Sequence, residues 1–453
     1  MKIYSENENY KLYQGNMLDM LEAIEPNTID SIVTDPPYEL NFMGKGWDNS
    51  GIAFQPTTWQ KCYEVLKPGG YLLAFGGSRT FHRIAVAIED AGFEIRDTIM
   101  WLYGSGFPKS MNIGLAIDKK NGVESKVVGI KEHCKKDFKE NNLYAQDEAN
   151  KNNKKCFGYG TEIVKEAQNE WQGWGTALKP SFEPIIVARK PFKGSLVDNV
   201  IEYGVGGINI DECRVGNEKL VNKGMSSLGV MHDDNWVSNK EVVNEVNGRF
   251  PANTILTYDE TDFDEVCGGF PNTKGSSNPR KNTNGNVYGD YKTVTTQNDA
   301  WGDSGSASRY FYTAKASKKD RDEGLDTFNQ EKVNDGRNTP IDNAFQRGET
   351  LRKNTHPTVK PTELMQYLIR LVSPNGATIL DPFNGSGSTG KAVMYENKER
   401  NKNYKYIGIE LTEEYLPISK ARIECLIDST QTEQKEDVPL GQTSIFDFIK
   451  EEE

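Results

Sequence analysis

A short apolar run in this chain, Ile32-Val33-Thr34, ends abruptly in Asp35-Pro36-Pro37-Tyr38. Proline has no backbone N–H and a fixed φ, so two consecutive prolines neither extend a β-ladder nor enter a helix. The sequence therefore predicts a strand that stops here and leaves backbone carbonyls open as acceptors. Asp35, the Pro36 carbonyl and the Tyr38 ring can then converge on one planar group that carries an amine. The alternative is a plain proline-rich turn with an aspartate cap.

A second constraint lies near the other end of the chain. There the β-type run Thr378-Ile379-Leu380-Asp381 is followed by Pro382-Phe383-Asn384-Gly385-Ser386-Gly387-Ser388-Thr389-Gly390 and then by a helical pattern from Lys391 to Met394. Glycines permit tight turns and let backbone N–H groups approach a ligand, and a helix N-terminus adds a positive partial charge. The pattern predicts a strand, a ligand-binding loop and a helix.

A further predicted strand, Tyr406 to Glu410, ends in a carboxylate that can hold two ribose hydroxyls. Gly385-x-Gly387-x-x-Gly390 followed by Glu410 also fits the dinucleotide fingerprint, so an NAD-dependent enzyme is the first alternative. A single Gly-x-Gly-x-x-Gly pattern is weak evidence for either ligand.

Strand and helix patterns alternate through the first part of the chain, which predicts an α/β fold with a doubly wound sheet. We expect the last strands, from Ile379 and Ile407, to lie beside the first ones. Asp35 and Gly385 then both fall at the carboxyl ends of strands, where ligands bind. The predicted strands are Leu12 to Asp19 and Ile29 to Thr34, which flank a short predicted helix, followed by Tyr71 to Phe75, Glu94 to Leu102 and Pro184 to Ala188. A further predicted helix is His82 to Ala91.

Composition shifts divide the chain. We expect one half of the main domain at 1–192, interrupted at 118–160 by a Lys- and Asn-rich surface loop or hairpin, and the other half at 355–428. Between them, 193–354 is a Gly-, Asn- and Ser-rich insertion, and 429–453 is an acidic tail.

The net charge of −12 is unusual for a protein that binds nucleic acid. Its distribution weakens the objection, because the tail has a net charge of −5, from seven acids and two lysines, and basic clusters occur at 274–281 and 315–321. Such clusters either contact phosphates or are only solvated surface. Six cysteines without a Cys-x-x-Cys pair, and only four histidines, indicate neither a disulfide framework nor a metal site. The absence of a long apolar run and of a signal-peptide pattern predicts a soluble, cytoplasmic protein.

In combination, the two motifs resemble those of the DNA amino-methyltransferases, in which Asp-Pro-Pro-Tyr is catalytic and Asp-Pro-Phe-x-Gly-Ser-Gly lies in the S-adenosylmethionine pocket. The catalytic motif comes first here, as in the circularly permuted beta group. The runs Leu66 to Gly70, Leu178 to Pro184 and His356 to Pro361 extend the resemblance, and Trp101 to Lys109 is similar to phage and prophage members.

This resemblance implies a circularly permuted, seven-stranded, Rossmann-like methyltransferase sheet with the insertion as its target-recognition region. It implies S-adenosylmethionine as cofactor, with residues 383–389 around the methionine part, Glu410 on the ribose, Asp19 near the adenine and Lys360 on the methionine carboxylate. Alternatively, Asp19 only caps a helix and Lys360 is only solvated. Phe383 is expected to be both core and pocket wall. The predicted cofactor residues are Asp19, Asp35, Lys360, Asp381, Phe383, Asn384, Gly385, Ser386, Gly387, Ser388, Thr389 and Glu410.

The implied reaction is methylation of adenine N6 in double-stranded DNA, with Asp35, Pro36, Pro37 and Tyr38 as catalytic residues. The base is flipped out of the duplex, Tyr38 stacks on it, and Asp35 and the Pro36 carbonyl accept the amino hydrogens. Asp at the first motif position favours adenine over cytosine N4. Cytosine, an RNA or protein amine, and a non-catalytic DNA-binding subunit remain alternatives. The candidate DNA contacts are Arg249, Lys274, Arg280, Lys281, Arg309, Lys318 and Lys319.

Two partners besides DNA are predicted. Gln442-Thr443-Ser444-Ile445-Phe446 resembles the short peptides that dock in bacterial sliding clamps, with a small terminal helix as the alternative. A homodimer is expected by analogy with the beta group.

Overall fold

The computed structural model describes residues 2–40, 46–103, 110–131, 162–226, 240–257, 272–273, 305–306, 311–314, 318–333 and 350–433. Nine α-helices occur in these residues: α1 Met17–Leu21, α2 Pro56–Val65, α3 Phe81–Asp90, α4 Ile113–Lys120, α5 Leu196–Tyr203, α6 Lys318–Asp322, α7 Thr362–Val372, α8 Ser388–Arg400 and α9 Leu416–Glu433. The strands are β1 Lys2–Glu6, β2 Tyr10–Gln14, β3 Ile29–Thr34, β4 Leu66–Phe75, β5 Glu94–Tyr103, β6 Lys126–Lys131, β7 Glu162–Glu166, β8 Phe182–Arg189, β9 Val215–Ser226, β10 Lys240–Arg249, β11 Thr254–Thr257, β12 Asn272–Thr273, β13 Gly305–Ser306, β14 Tyr312–Thr313, β15 Glu331–Val333, β16 Thr350–Arg352, β17 Thr378–Asp381 and β18 Lys405–Glu410.

Ten of these strands form one mixed sheet in the order β1-β2-β18-β17-β3-β4-β8-β5-β11-β14. Strands β2, β18, β17, β3 and β4 run parallel, whereas β8 is antiparallel to both of its neighbours. The sheet thus has ten strands where seven were predicted. One addition is β1, which pairs with β2 at one edge. The others, β11 and β14, come from within the predicted insertion and extend the opposite edge beyond β5.

The late strand β17 lies between β3 and β18 at the centre of the sheet, and β18 in turn pairs with β2. The expectation that the strands from Ile379 and Ile407 lie beside the first strands is therefore confirmed. All six residues of β3 are buried, as a central strand covered on both faces requires. This pairing brings the segment after Thr34 next to the segment after Asp381.

Helices cover both faces of the sheet, and alternate residues of each strand face opposite sides. Val33 and Leu73 pack in one core cluster with side chains of α7 and α8. Ile32 and Leu72 pack in the other with side chains of α1, α2 and α3. This is the layered arrangement expected of a doubly wound α/β fold. In the part of the chain that the structure describes, no helix has the length and apolar character needed to cross a membrane.

Most local predictions agree with the structure. Strand β3 has the predicted bounds, β4 begins five residues earlier than predicted, and α3 differs from the predicted helix by one residue at each end. The predicted strand from Leu12 to Asp19 is wrong in its second half, because β2 ends at Gln14 and α1 begins at Met17. The Asn16 side chain accepts a hydrogen bond from the Leu18 N–H at 3.0 Å, and this cap starts the helix.

The polar segment at 118–160 starts later than predicted. Asp118 is buried within α4, where its carboxylate accepts hydrogen bonds from the Gln168 N–H and the Asn169 side chain. Strands β6 and β7 then pair in an antiparallel ladder, as the hairpin alternative predicts. Residues 132–160 lie outside the described residues. The described cysteines Cys62, Cys213 and Cys425 are free thiols.

Candidate active site

Four segments meet at one edge of the main sheet. Asp35 follows β3, the glycine loop 382–387 follows β17, and Glu410 is the last residue of β18. Because β8 runs antiparallel to β4, its first residues lie at the same edge, and these include Glu183. The structure therefore places both sequence motifs at the carboxyl ends of neighbouring parallel strands, where open α/β sheets bind ligands.

The Asp35 carboxylate has one occupied and one open oxygen. Its Oδ2 atom accepts a hydrogen bond from the Lys360 ammonium at 2.7 Å. Its Oδ1 atom is buried and has no hydrogen-bond partner within the described residues. A buried acceptor without a partner costs about 1–3 kcal/mol, so such atoms are rare in folded proteins and their presence needs an explanation. The open oxygen points to a ligand that donates a hydrogen bond.

Lys360 is buried at the centre of this site. Its ammonium also lies 3.4 Å from Glu183 Oε2, and it faces the rings of Tyr38, Phe75 and Trp101 at 5.3, 5.0 and 6.0 Å. Burial lowers the pKa of Lys360, but the Asp35 and Glu183 carboxylates outweigh burial and raise it overall. Lys360 is therefore a cation, and the alternative that it is only solvated is wrong. Its predicted contact with the cofactor carboxylate stays a prediction.

Tyr38 is fixed at both ends. Its hydroxyl donates a hydrogen bond to Glu183 at 2.8 Å, and its backbone carbonyl accepts one from the Thr80 hydroxyl at 2.8 Å. A side chain at Gly77 would lie 3.2 Å from the Tyr38 ring, so glycine leaves room for that ring. Burial, together with the Asp35 and Glu183 carboxylates, raises the pKa of Tyr38 well above its usual range. The hydroxyl thus stays protonated.

Asp381 connects strand β3 to the glycine loop through hydrogen bonds. Its carboxylate accepts hydrogen bonds from the hydroxyls of Thr34 and Thr389 at 2.7 and 2.6 Å and from the Phe383 N–H at 3.1 Å. Burial raises the pKa of Asp381 to about 6 despite these bonds. Both oxygens are therefore occupied by protein donors, which makes Asp381 a brace between β3, β17 and α8. Its predicted cofactor contact stays a prediction.

Glu410 holds the glycine loop from the neighbouring strand. Its carboxylate accepts hydrogen bonds from the Gly385 N–H at 2.6 Å and from the Thr412 N–H at 2.7 Å. Burial raises the pKa of Glu410, and the two backbone N–H groups oppose this rise. A carboxylate has about four acceptor sites, so these bonds leave room for ligand hydroxyls.

The loop has a tight backbone that only small residues permit. Gly385 and Gly387 have φ values of +53° and +76°, and a side chain at Gly387 would lie 2.5 Å from the Ser419 hydroxyl. The Asn384 amide donates to the Gly385 carbonyl at 3.0 Å and to the Ser419 hydroxyl at 2.9 Å. The predicted loop is thus preformed, with its polar side chains in the protein's own hydrogen bonds.

Arg422 of α9 supports this loop and was not predicted. The fully buried guanidinium donates to the Ser386 carbonyl at 2.6 Å, to the Ser386 hydroxyl at 3.0 Å and to the Ser388 hydroxyl at 3.3 Å. Burial lowers the pKa of Arg422 to about 10. These three bonds come from Nη1, and the second terminal nitrogen, Nη2, donates to the Asp320 carbonyl of α6 at 2.9 Å, which connects α6 to the same loop. No sequence pattern near residue 422 indicated this role.

His356 was quoted as part of a motif but was given no role. Its Nδ1 atom lies 2.5 Å from the Thr358 carbonyl, and a side chain at Gly385 would lie 2.9 Å from its Nε2 atom. Burial lowers the pKa of His356 to about 4, although the Thr358 carbonyl and Asp35 oppose this. The neutral imidazole therefore lies near both Asp35 and the glycine loop.

Two other predicted cofactor residues lie at the margin of the site. Phe383 packs partly buried against the core, with its ring 6.3 Å from that of Trp59. Asp19 is exposed in the first turn of α1. The alternative that Asp19 caps this helix is wrong, since Asn16 is the cap.

The predicted DNA contacts are mostly outside the described residues, which include neither Lys274, Arg280, Lys281 nor Arg309. Lys318 and Lys319 lie in α6, and only their backbone is described. Arg249 is buried and forms an ion pair with Glu218, and its predicted DNA contact stays a prediction. The clamp-like segment Gln442–Phe446 also lies outside the described residues.

Comparison with known proteins gives a consistent picture. A family described as DNA methylase matches residues 29–421. The Type II methyltransferase M.HindIII of Haemophilus influenzae is 22% identical over 241 residues, which cover 44% of this chain and 64% of that protein. M2.LlaDCHI of Lactococcus lactis subsp. cremoris, also a Type II methyltransferase, is 24% identical over 229 residues, which cover 46% of this chain and 82% of that protein. The chain thus spans just under two thirds of the M.HindIII relative.

Solved structures that match this chain include the PvuII DNA methyltransferase, described as cytosine-N4-specific. It is 12% identical to this chain, with a TM-score of 0.40 and 94% coverage of both chains.

Proposed function

The chain belongs to the DNA methylase family, and we propose that it transfers a methyl group from S-adenosylmethionine to the exocyclic amine of adenine in double-stranded DNA. The observation that carries the proposal is the Oδ1 atom of Asp35, a buried acceptor that has no hydrogen-bond partner within the described residues. An amine donor placed there satisfies it. We further propose that the chain is a circularly permuted, beta-group member, because its catalytic motif precedes its cofactor loop.

S-adenosylmethionine is the cofactor, and the residues at the sheet edge fit it. Gly385 and Gly387 have no side chains to exclude a ligand, α8 begins directly after Gly387, and Glu410 retains acceptor capacity for ribose hydroxyls. When bound, the cofactor supplies a sulfonium methyl group that an amine can attack. We propose that residues 383–389 and Glu410 hold S-adenosylmethionine, with Asp19 near the adenine of this cofactor.

The chemistry at the amine requires orientation more than a strong base. An exocyclic amine is a weak nucleophile because its lone pair is delocalised into the ring. Asp35 Oδ1 and the Pro36 carbonyl accept hydrogen bonds from its two N–H groups, which favours a tetrahedral nitrogen and directs the lone pair out of conjugation with the ring. As the N–C bond forms, the methyl–sulfur bond of the cofactor would break and one amine proton would leave to Asp35 or to water. Tyr38 stacks on the flipped base, a contact worth about 1–3 kcal/mol in comparable sites. Positioning and fixed charges then supply most of the rate enhancement.

Adenine is proposed over cytosine because Asp35 occupies the first motif position, which favours adenine in the beta group. Cytosine N4 is the second candidate, since its amine presents the same two hydrogens to the same acceptors. The comparisons include a cytosine-N4-specific structure but, at its TM-score of 0.40, this likeness does not decide the base.

The base is determined by mass spectrometry of nucleosides from DNA of a methylation-deficient bacterial host that expresses the chain. We expect N6-methyladenine. N4-methylcytosine would retain the mechanism and change the base, whereas a methyl group found only on RNA or protein would contradict a DNA substrate.

A further inference from the structure

Two charged side chains lie behind the catalytic acid. Lys360 precedes α7, and Glu183 lies at the start of β8, so two segments distant in sequence meet beside Asp35. The Lys360 ammonium is 2.7 Å from Asp35 Oδ2 and 3.4 Å from Glu183 Oε2. The same Glu183 carboxylate accepts the Tyr38 hydroxyl at 2.8 Å and the Tyr103 hydroxyl at 3.4 Å.

The position of this lysine is determined by the two acids. Its side chain is 7% exposed, and three aromatic rings face the ammonium at 5.0–6.0 Å. A buried ammonium is costly unless carboxylates pair with it. Lys360 therefore has its charge partners already, before any ligand carboxylate is considered.

The pairing also restricts Asp35. A carboxylate that is free to rotate can present either oxygen, but Lys360 holds Oδ2 and leaves Oδ1 as the open buried acceptor. Glu183 meanwhile fixes the ring that lies beside this acceptor through the Tyr38 hydroxyl. One lysine and one glutamate thus determine the relative placement of the acceptor and the ring.

We propose that Lys360 and Glu183 are positioning residues of the methyl-transfer site: Lys360 orients the Asp35 carboxylate, and Glu183 orients both Lys360 and Tyr38. This inference rests on the proposed function and assigns Lys360 to the catalytic acid instead of the cofactor carboxylate. Both residues act through their neighbours, so their loss affects turnover and leaves cofactor binding intact.

The two roles for Lys360 are separated by Lys360→Met, which removes the charge and keeps much of the length. Cofactor affinity is measured by calorimetry with S-adenosylmethionine alone, and turnover with DNA from the unmethylated host at saturating cofactor. We expect cofactor Kd to change by less than about threefold and kcat to fall by about 100-fold, because misplaced reacting groups cost that much. Weakening of cofactor Kd by about tenfold or more, as loss of an ion-paired carboxylate contact predicts, overturns the inference.

The pH profile supplies a signature that a purely structural role would not produce. The titratable and charged groups that face Asp35 are Lys360, Glu183, Tyr38, His356 and Asp381. Removing the only cation among them changes the charge balance of the site, so the acid limb of the kcat profile is expected to move in Lys360→Met. An unmoved limb contradicts the inference.

Lys190→Met is the matched control. Lys190 is also buried and lies over an aromatic ring, Tyr63, but it follows β8 at the opposite edge of the sheet. Its variant is expected to keep wild-type kcat.

If Lys360→Met does not fold, Glu183→Gln tests the inference instead. The glutamine still accepts a hydrogen bond from the Tyr38 hydroxyl, and we expect about tenfold lower kcat with unchanged cofactor Kd. Wild-type kcat in Glu183→Gln overturns the inference.

Different results would overturn the positioning roles and the proposed function. A wild type that transfers methyl groups to DNA, with Lys360 and Glu183 variants equal to it, overturns only the positioning roles. A wild type that binds S-adenosylmethionine and methylates no DNA overturns the proposed function, and the positioning roles fall with it.

Discussion

The proposed site has two halves, a cofactor half around the glycine loop and Glu410 and a catalytic half around Asp35, and their polar groups are bonded in opposite ways. In the cofactor half, the Asp381 and Glu410 carboxylates and the Asn384 amide all bond to the protein itself. In the catalytic half, Asp35 bonds through one oxygen and leaves the other buried without a partner among the described residues.

The difference follows from what each half does. A loop that approaches a ligand with its backbone must hold its shape by itself, so its side chains serve as braces. An acid that must accept a hydrogen bond from a substrate has to keep an acceptor open, and it tolerates the cost because a neighbouring cation compensates its charge. Changes in the catalytic half should therefore reduce turnover, and changes in the cofactor half should reduce cofactor affinity and stability.

The largest effect is expected for Asp35→Asn, which keeps the shape and removes the charge. We predict at least about a 100-fold decrease in kcat, the range seen when a fixed electrostatic group is removed from an active site. Cofactor affinity by calorimetry should be retained. Asp30→Asn is the matched control, since Asp30 lies on the same strand and pairs with Lys67 at 2.6 Å at the other end of β3. Equal activity of the Asp35 variant and wild type would contradict the catalytic half of the comparison.

Glu410→Gln tests the cofactor half. The amide can accept only one of the two backbone N–H bonds and places a donor against the other, so we predict at least about tenfold weaker S-adenosylmethionine binding and about 1–3 kcal/mol lower free energy of unfolding. Calorimetry measures the cofactor affinity, and urea denaturation measures the free energy of unfolding. The exposed Glu414→Gln is the control. A variant with normal affinity and lower kcat would reverse the assignment of the two halves.

Tyr38 sharpens the comparison within the catalytic half. Tyr38→Ala removes the stacking ring and should lower kcat/KM for DNA by about 10–100-fold. Tyr38→Phe keeps the ring and loses only the bond to Glu183, so a decrease within about tenfold is expected. Tyr103→Phe removes another hydroxyl from Glu183 and serves as control. Similar losses in the Phe and Ala variants would show that the hydroxyl matters more than the ring.

The smallest effect concerns stability against pH. His356 has a pKa of about 4 in the folded protein and 6.5 as its ordinary value, so the unfolded chain binds its proton more readily. Its contribution to stability is present above pH 6.5 and is lost as the pH falls toward 4. The loss is at most about 3 kcal/mol, given about 1.4 kcal/mol per pKa unit.

The raised pKa of Asp381 acts in the opposite direction over a similar range, because its folded form binds a proton more readily. Asp381 is present in both the wild type and His356→Gln, so its contribution cancels when the pH dependence of their stabilities is compared. Urea denaturation from pH 7 to 4 should show the wild type losing more stability than the variant. Parallel curves would mean that the histidine is protonated in the fold.

The sequence predicted the strand ends and the motifs at them, because each depends on local chemistry. Two prolines stop β3 wherever it lies, and paired glycines form a tight loop after β17. The supporting residues could not be predicted, since Glu183, His356 and Arg422 act through contacts formed only when distant segments meet. Lys360 was identified as a site residue, but its burial between two carboxylates depends on how β8 and the segment before α7 come together. Of the three added strands, β11 and β14 are short, and a run of two to four residues carries no reliable strand pattern.

The most direct test of the account is long-read modification sequencing of DNA from a methylation-deficient bacterial host that expresses either the wild type or Asp35→Ala. We expect N6-methyladenine at one recurrent sequence with the wild type and none with the variant. Modified DNA in both strains, or none in either despite folded protein that binds S-adenosylmethionine, would contradict it.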